Sequence, residues 1–315
     1  MEWNKPVSEM GPGNEVEGFY LLKAAASKVT TSGKPFLAAT VGDKTGSIDV
    51  KVWDYAGPVG AADVGKIVKL RGEVSSYRGA LQFTAGRIRL ADPNDQYDIS
   101  AIVPVAPIDT DGTLAMVESL ISSLEDPDYR QVCTVLLDRH RQAFRSLPAG
   151  KSVHHSFLSS LLMHTANMLK IADFLSGIYG QTVNRSLLLT GTLLHDFGKE
   201  REFSLSELGT VTDYSTEGQL LGHLVMGAME VDQLCRERNI PREKALLLEH
   251  LILSHHGEPE FGAAVRPVCA EAELLSLIDM LDSRMEIYAE ALHDVTPGQF
   301  SQRVFALEKR LYRHE

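Results

Sequence analysis

In the second half of this 315-residue chain, five imidazoles and two carboxylates stand where helices would otherwise bury apolar side chains. In SFLSSLLMHTANMLKIADFL, His164 lies on the stripe Phe157, Leu161, Met168, Ile171 and Leu175. In LLLTGTLLHDFGKE, His195 and Asp196 stand side by side where an apolar run ends, and Gly198 and Lys199 follow. His195 shares its face with Leu188, Gly191 and Thr192, and the small residues beside it are expected to leave room for a ligand. His223 has Leu220 and Gly227 as face neighbours, and His255 follows Leu248, Leu251 and Ile252 before His256 and Gly257 end that helix. Asp279 sits on the face of Leu275, with Asp282 one turn later.

One histidine on an apolar stripe is ordinarily a satisfied core residue. A whole set is different, because burying each polar group without a partner costs roughly 1–3 kcal/mol. A shared cation satisfies all of them together. Mixed imidazole and carboxylate donors without thiolates suit Mn²⁺, Fe²⁺, Co²⁺ or Zn²⁺. Other polar residues stay open between two readings. His154 and His155 either contact a substrate phosphate or simply precede the first ligand helix. Asp282 either orients a ligand histidine or pairs with Arg284 or Arg266. Gly257 to Phe261 reads as a connecting loop before it reads as a substrate contact. His140, His250, His293 and His314 read as surface residues.

These residues need helices. From Thr113 onward the apolar period is 3.6, with helices expected near 113–125, 128–146, 154–177, 184–197, 216–238, 241–255, 270–293 and 298–312. Residues 113–315 therefore read as one all-α domain, and the proline-bearing stretch 93–112 reads as a linker. Residues 1–92 differ: from Phe19 to Leu90 the period is two, and GDKTG and Arg78-Gly79 mark tight turns. Several short strands in so few residues predict a small closed barrel, with an OB-fold as the leading candidate. The fold class is thus α+β multidomain. If Ile48, Val50 and Val52 face inward, Lys51 and Trp53 face outward beside Phe36, and Tyr77 and Arg78 lie near the second turn. OB folds hold single strands by stacking bases on aromatics while cations follow the backbone; alternatively, Phe36 and Trp53 cap the barrel core.

The bulk numbers set outer limits. Net charge is −11, which disfavours a broad nucleic-acid-coating surface, and the whole acidic excess lies in residues 96–315, since residues 1–95 balance at +1. Cys133, Cys235 and Cys269 are odd in number and far apart, so they predict buried thiols in a reducing cytosol. No signal-like leader and no membrane span is expected, and the chain reads as cytoplasmic.

The order His164, His195-Asp196, Asp279 resembles the HD-domain superfamily of metal-dependent phosphohydrolases. With His223, His255 and His256 between the doublet and the last aspartate, it resembles the two-metal branch. HHSFLSSLLMHT, TEGQLLGHLVMG and LSHHGEPEFGAAVRPVCAEAELLSLIDMLDSRM, behind an OB-like domain, resemble the YhaM family of 3′-5′ exoribonucleases from about residue 14 to 312. Where that family tends to carry Gly-Gly before the first ligand helix, this chain has Ser159-Ser160, and where it tends to carry glutamate, this chain has Met163.

The resemblance implies two divalent ions, Mn²⁺ first, with Fe²⁺, Co²⁺, Zn²⁺ or Ni²⁺ as alternatives. It implies His164, His195, Asp196 and Asp279 at one ion, His223, His255 and His256 at the other, and Asp196 between them. Lys199 then offers a cation to the phosphate as charge builds, or else merely complements the helix dipole. The implied activity is 3′-5′ hydrolysis of single-stranded RNA, with DNA as a further substrate. Two alternatives remain: a phosphodiesterase of a small nucleotide such as a cyclic dinucleotide, which the barrel domain disfavours, and a catalytically silent nucleic-acid-binding protein. No membrane partner is expected, and a homo-oligomer is a further expectation.

Overall fold

Alternating apolar residues in the first third of the chain fold into strands whose inward faces close on one another. The molecule is known from a computed structural model, which describes residues 1–77, 79–150, 157–206 and 208–315. Two compact units are built on Met1–Val105 and on Ala106–Leu205 with Gly209–Glu315. In the first unit, β1 (Glu2–Trp3) runs parallel to the start of β2 (Glu15–Val29), followed by β3 (Pro35–Asp43), β4 (Gly46–Trp53), β5 (Ile67–Tyr77) and β6 (Ala80–Leu90). The order β2-β3-β4-β6-β5 closes when β5 pairs back onto β2. β2 serves both neighbours because it is long: Glu15–Leu21 pairs with β5 and Leu21–Val29 with β3, with a register shift between Leu22 and Ala24. Such a shift bends a strand, as closing a small barrel requires. Val16, Leu22, Leu37, Val50, Leu70 and Phe83 fill the interior, each burial contributing roughly 1.5–3 kcal/mol. This is the expected OB architecture.

The second region begins after α1 (Ile99–Ile102), which lies in the stretch read as a linker and buries Ile102. Then come α2 (Thr110–Ser122), α3 (Pro127–Ser146), α4 (Ser160–Ile178), α5 (Arg185–Leu194), the short α6 (Lys199–Glu202), a hairpin of β7 (Phe203–Leu205) and β8 (Val211–Tyr214), α7 (Thr216–Glu237), α8 (Arg242–Ser254) and α9 (Ala270–Leu292). Side chains of Asp109, Asp126, Asn184 and Ser215 accept from the first free backbone N–H groups of α2, α3, α5 and α7, a preference that explains where these helices start. Val117, Leu136, Leu162, Leu188, Leu248 and Leu275 share one core.

Two expectations fail. The hairpin β7–β8 was not foreseen, and 298–312 is not a helix but a second hairpin, β9 (Phe300–Val304) with β10 (Lys309–Tyr312). Phe300, Val304, Leu307 and Leu311 mimic a helical stripe. However, Ser301 and Leu311 point inward from facing strands, Leu311 N–H donates to Ser301 Oγ at 2.9 Å, and Glu308 takes a left-handed φ of 54° that a helix interior excludes. Among the described residues, no helix is long and apolar enough to cross a membrane.

Candidate metal centre

α5 and α8 end in the same way. His195 and His255 each follow the last residue of the helix and keep a helical backbone. Each ring turns its Nδ1 to the carbonyl three residues back, Thr192 O and Ile252 O respectively, at 2.8 Å. Carbonyls in the last turn of a helix lack an intrahelical donor. A carbonyl only accepts, so Nδ1 carries the proton and Nε2 keeps its lone pair. The two helices come close at Gly191, where a Cβ would stand 2.2 Å from Leu251 Cδ2. The room expected there for a ligand is therefore taken by Leu251. What the glycine provides is proximity: the two imidazoles lie 4.9 Å apart, edge to face.

Asp196 follows His195 and is buried. Its Oδ2 lies 3.2 Å from His195 Nε2, and its Oδ1 lies 3.4 Å from His223 Nε2 and 3.8 Å from His255 Nε2. His164, on α4, faces Asp279 Oδ1 with Nε2 at 3.3 Å and Asp282 Oδ2 with Nδ1 at 2.7 Å. Of the two readings of Asp282, the geometry favours orientation of His164. His223 is reached differently. The helical run of α7 breaks at Gly222, whose φ of 72° and ψ of 161° suit only glycine. Beyond the break, Glu202 Oε1 accepts from both His223 N–H at 3.0 Å and its Nδ1 at 2.8 Å. The sequence reading missed Glu202. Its signal was a glutamate closing KERE directly before an apolar strand.

Among the described residues, several buried atoms in this cluster have no hydrogen-bond partner: Nε2 of His195, His223 and His255, Nδ1 of His256, and Asp196 Oδ1. The short His195–Asp196 approach lacks hydrogen-bond alignment. Lone pairs left bare at this density cost several kcal/mol unless something electropositive answers them. Donor atoms of His164, His195 and Asp196 lie within 4.8 Å of one another, and so do those of His223, His255 and His256. These residues fit divalent cations. Protonation shows the same demand. Burial and the neighbouring His195 and His256 rings hold His255 well below the usual imidazole range; burial and His223 lower His256. Burial alone would also lower His164, but Asp279 and Asp282 outweigh it and raise it to about 9.

Lys199 donates to Asp196 Oδ2 and to Ala149 O, both at 2.7 Å. Burial disfavours its charge, yet the Asp196 carboxylate more than compensates and its pKa is raised. Burial likewise opposes the charge on Asp196, and Lys199 with His195 overcomes it. A cavity of about 650 Å³ opens beside the cluster, with His164, Asp196, Lys199, His255, His256 and Asp279 on its wall.

His140, read as a surface residue, is buried. It lies one turn from Leu136 and from Phe144 on the apolar stripe of α3, the spacing that should have revealed it. Its nitrogens face Glu200 and Glu230.

On the barrel, Val50 and Val52 are buried, Trp53 is 50% exposed and Phe36 is half-buried. The Phe36 and Trp53 rings lie 5.0 Å apart, with Lys51 Nζ 5.5 Å from the Phe36 centroid. Tyr77 does not join them. Lys51 pairs beside Thr84 and Tyr77 beside Ala80, so roughly 13 Å of strand lies between. His154, His155 and Arg78 lie outside the described residues.

Two families match the chain in turn: the OB-fold nucleic acid binding domain over residues 21–91 and the HD domain over residues 161–284. An HD domain implies dependence on a divalent metal ion, and the histidine–aspartate clusters are able to hold one. The second OB-fold domain of replication protein A from Methanococcus maripaludis is 18% identical, covers 30% of this chain and 98% of its own, and has a TM-score of 0.22. An OB domain from Methanosarcina mazei, also 18% identical, covers 31% and 92% with a TM-score of 0.25. The 3′-5′ exoribonuclease YhaM of Shouchella clausii (strain KSM-K16) is 39% identical over 302 residues, spanning 95% of this chain and 93% of that protein. With identity at that level along the length of both proteins, the chain belongs to the YhaM family of 3′-5′ exoribonucleases.

Proposed function

We propose that this protein removes nucleotides from the 3′ end of single-stranded RNA, and of DNA as a secondary substrate, using two divalent ions, Mn²⁺ first. The observation that carries this reading is the pair of donor clusters meeting at Asp196, whose two oxygens face His195 on one side and His223 and His255 on the other. His164, His195, Asp196 and Asp279 would hold one ion, and His223, His255 and His256 the other. When bound, such ions polarise a phosphoryl oxygen and make a coordinated water nucleophilic near neutral pH.

The remaining work falls to the protein. Thr192 O, Ile252 O, Glu202 and Asp282 fix ring orientation, so the lone pairs are aligned before substrate arrives. Lys199 is held by two acceptors and has one N–H left for a phosphate oxygen, where it offsets charge in the transition state. Water oxygen bonds to phosphorus, the P–O3′ bond breaks, and the departing 3′-oxygen takes a proton from solvent. The products are a nucleoside 5′-monophosphate and an RNA shortened by one residue.

In this division of labour, residues 1–92 bind the strand, 93–112 connect, and 113–315 hydrolyse. Phe36, Trp53 and Lys51 give the barrel an aromatic–cationic surface suited to bases and backbone, while Tyr77, farther along the strands, and Arg78 are assigned to separate contacts with the strand. His154 and His155 are assigned to the substrate phosphate. The test uses 5′-labelled single-stranded RNA with Mn²⁺, a cyclic dinucleotide in parallel, and Asp196→Ala as control. A ladder shortening from the 3′ end that the variant abolishes supports the reading. Cleavage of the cyclic compound alone, or binding without products, overturns it.

A further inference from the structure

The cavity beside the candidate ligand clusters is also lined by residues of a different chemistry. Phe261, Leu277, Met280, Ile287 and Leu307 line it, together with Arg284. Phe261 is 72% exposed and so contributes little to the core. Its placement is nonetheless specified. Gly257 follows His256 with a φ of 78°, and a tight turn of Pro259–Phe261 then brings Gly262 back beside the His256 ring. The phenyl ring is thereby tethered five residues from a candidate ligand.

α9 supplies another part of the wall. Leu277, Met280 and Arg284 ride on the same rigid helix as Asp279, so their distance from the ligand cluster is fixed. Arg284 is exposed and forms no ion pair with any described residue. This sets it apart from Arg266, which is engaged by Glu258 at 2.7 Å, and Arg185, engaged by Asp173 at 2.7 Å. An unanswered guanidinium on a cavity wall, in the acidic part of the chain, calls for an anion. An exposed aromatic ring and a thioether beside it call for a flat, partly apolar group. The two demands describe a nucleotide.

We propose that this part of the cavity wall is the subsite for the 3′-terminal nucleotide, whose base lies on Phe261 between Met280 and Leu277 while Arg284 adds a cation beside the scissile phosphate that faces the donor clusters. The proposal rests on the exonuclease reading and adds the residues that hold the leaving nucleotide. It also assigns a specificity. The side chains assigned to the base, Phe261, Leu277 and Met280, are apolar, and every base has a π-face, so the subsite accepts purines and pyrimidines alike.

The test is calorimetric binding of adenosine 5′-monophosphate, uridine 5′-monophosphate and ribose 5-phosphate to the full-length, Mn²⁺-loaded protein. Both nucleotides should bind with affinities within about threefold of each other and about tenfold more tightly than ribose 5-phosphate, the size of one stacking contact. Phe261→Ala should reduce the nucleotides to the ribose 5-phosphate level, Phe261→Tyr should restore them, and Arg284→Ala should weaken all three compounds. Equal affinities for adenosine 5′-monophosphate and ribose 5-phosphate overturn the proposal, as does unchanged nucleotide binding by Phe261→Ala. Dissociation of an oligomer by Phe261→Ala with nucleotide affinity intact also overturns it, since the patch then joins copies of the chain. No turnover is required, so failure here is distinct from failure to shorten RNA.

Discussion

His195 and His255 occupy equivalent positions at the ends of α5 and α8, each donating Nδ1–H to the carbonyl three residues earlier at 2.8 Å, with ring centroids 4.9 Å apart. Adjacent candidate ligand pairs, His195-Asp196 and His255-His256, thus recur at two helix ends. Beyond His195 the turns tighten, with Phe197 N–H donating to Leu194 O and Lys199 N–H to Asp196 O.

Ion binding should stabilise the fold measurably, because the donor clusters exist only in the native state. At an ion concentration about a hundredfold above the dissociation constant, linkage adds about 2.7 kcal/mol per site. Thermal unfolding with Mn²⁺ should therefore lie several degrees above unfolding in chelator. Coincident curves would count against both clusters as ion sites.

Glu202→Ala should lower affinity for one ion by about 10–100-fold by releasing the His223 ring, and Asp282→Ala should do the same through His164. Titration calorimetry would show one weakened class of site in each variant. Gly222→Ala should act on the same ligand through the backbone, and forcing that φ on alanine costs about 1–3 kcal/mol. Full Mn²⁺ stoichiometry and wild-type affinity in all three variants would reject these orienting roles.

The His140 ring, set between Glu200 and Glu230, gives stability a defined pH window. Burial pulls its pKa down, but the two carboxylates overcome this and raise it to about 9, against about 6.5 in an unfolded chain. Between those values the native state holds a proton that the unfolded state has released. The contribution is complete below pH ~6.5 and disappears as pH rises through about 9. Denaturant midpoints measured across that window should fall, and His140→Gln should flatten the slope.

Ser159 precedes α4 with a left-handed φ of 62° and ψ of 10°, at one of the two positions where the resembled family tends to carry glycine. Ser159→Gly should stabilise the protein by about 0.5–1 kcal/mol by relieving that conformation. Equilibrium unfolding checks the sign, and a loss of stability would show that the serine side chain contributes more than its backbone costs.

Much of this was legible in the sequence because the site violates periodicity. Polar residues on apolar stripes marked His164, His195, His223 and His255, and alternation with turn residues marked the barrel. What stayed hidden depended on contacts between distant segments. Nothing in TEGQLLGHLVMG reveals a broken helix at Gly222, since a single glycine in a helical pattern is common. Glu202 became an orienting residue only through that break. Gly191 was read as space for a ligand when it is space for Leu251, a distinction only the packing of α8 makes. The hairpin at Phe300–Tyr312 was lost because four apolar residues at spacings of three and four fit a helix as well as facing strands.

The four anchored imidazoles differ in what a random substitution can undo. His195 and His255 take their alignment from peptide carbonyls, which every amino acid at Thr192 and Ile252 would still present. His164 and His223 take theirs from the carboxylates of Asp282 and Glu202, which a single codon change removes. Under mutational drift, one half of the candidate centre is insured by the main chain, while the other half must be kept by selection at two positions outside the proposed ligand set.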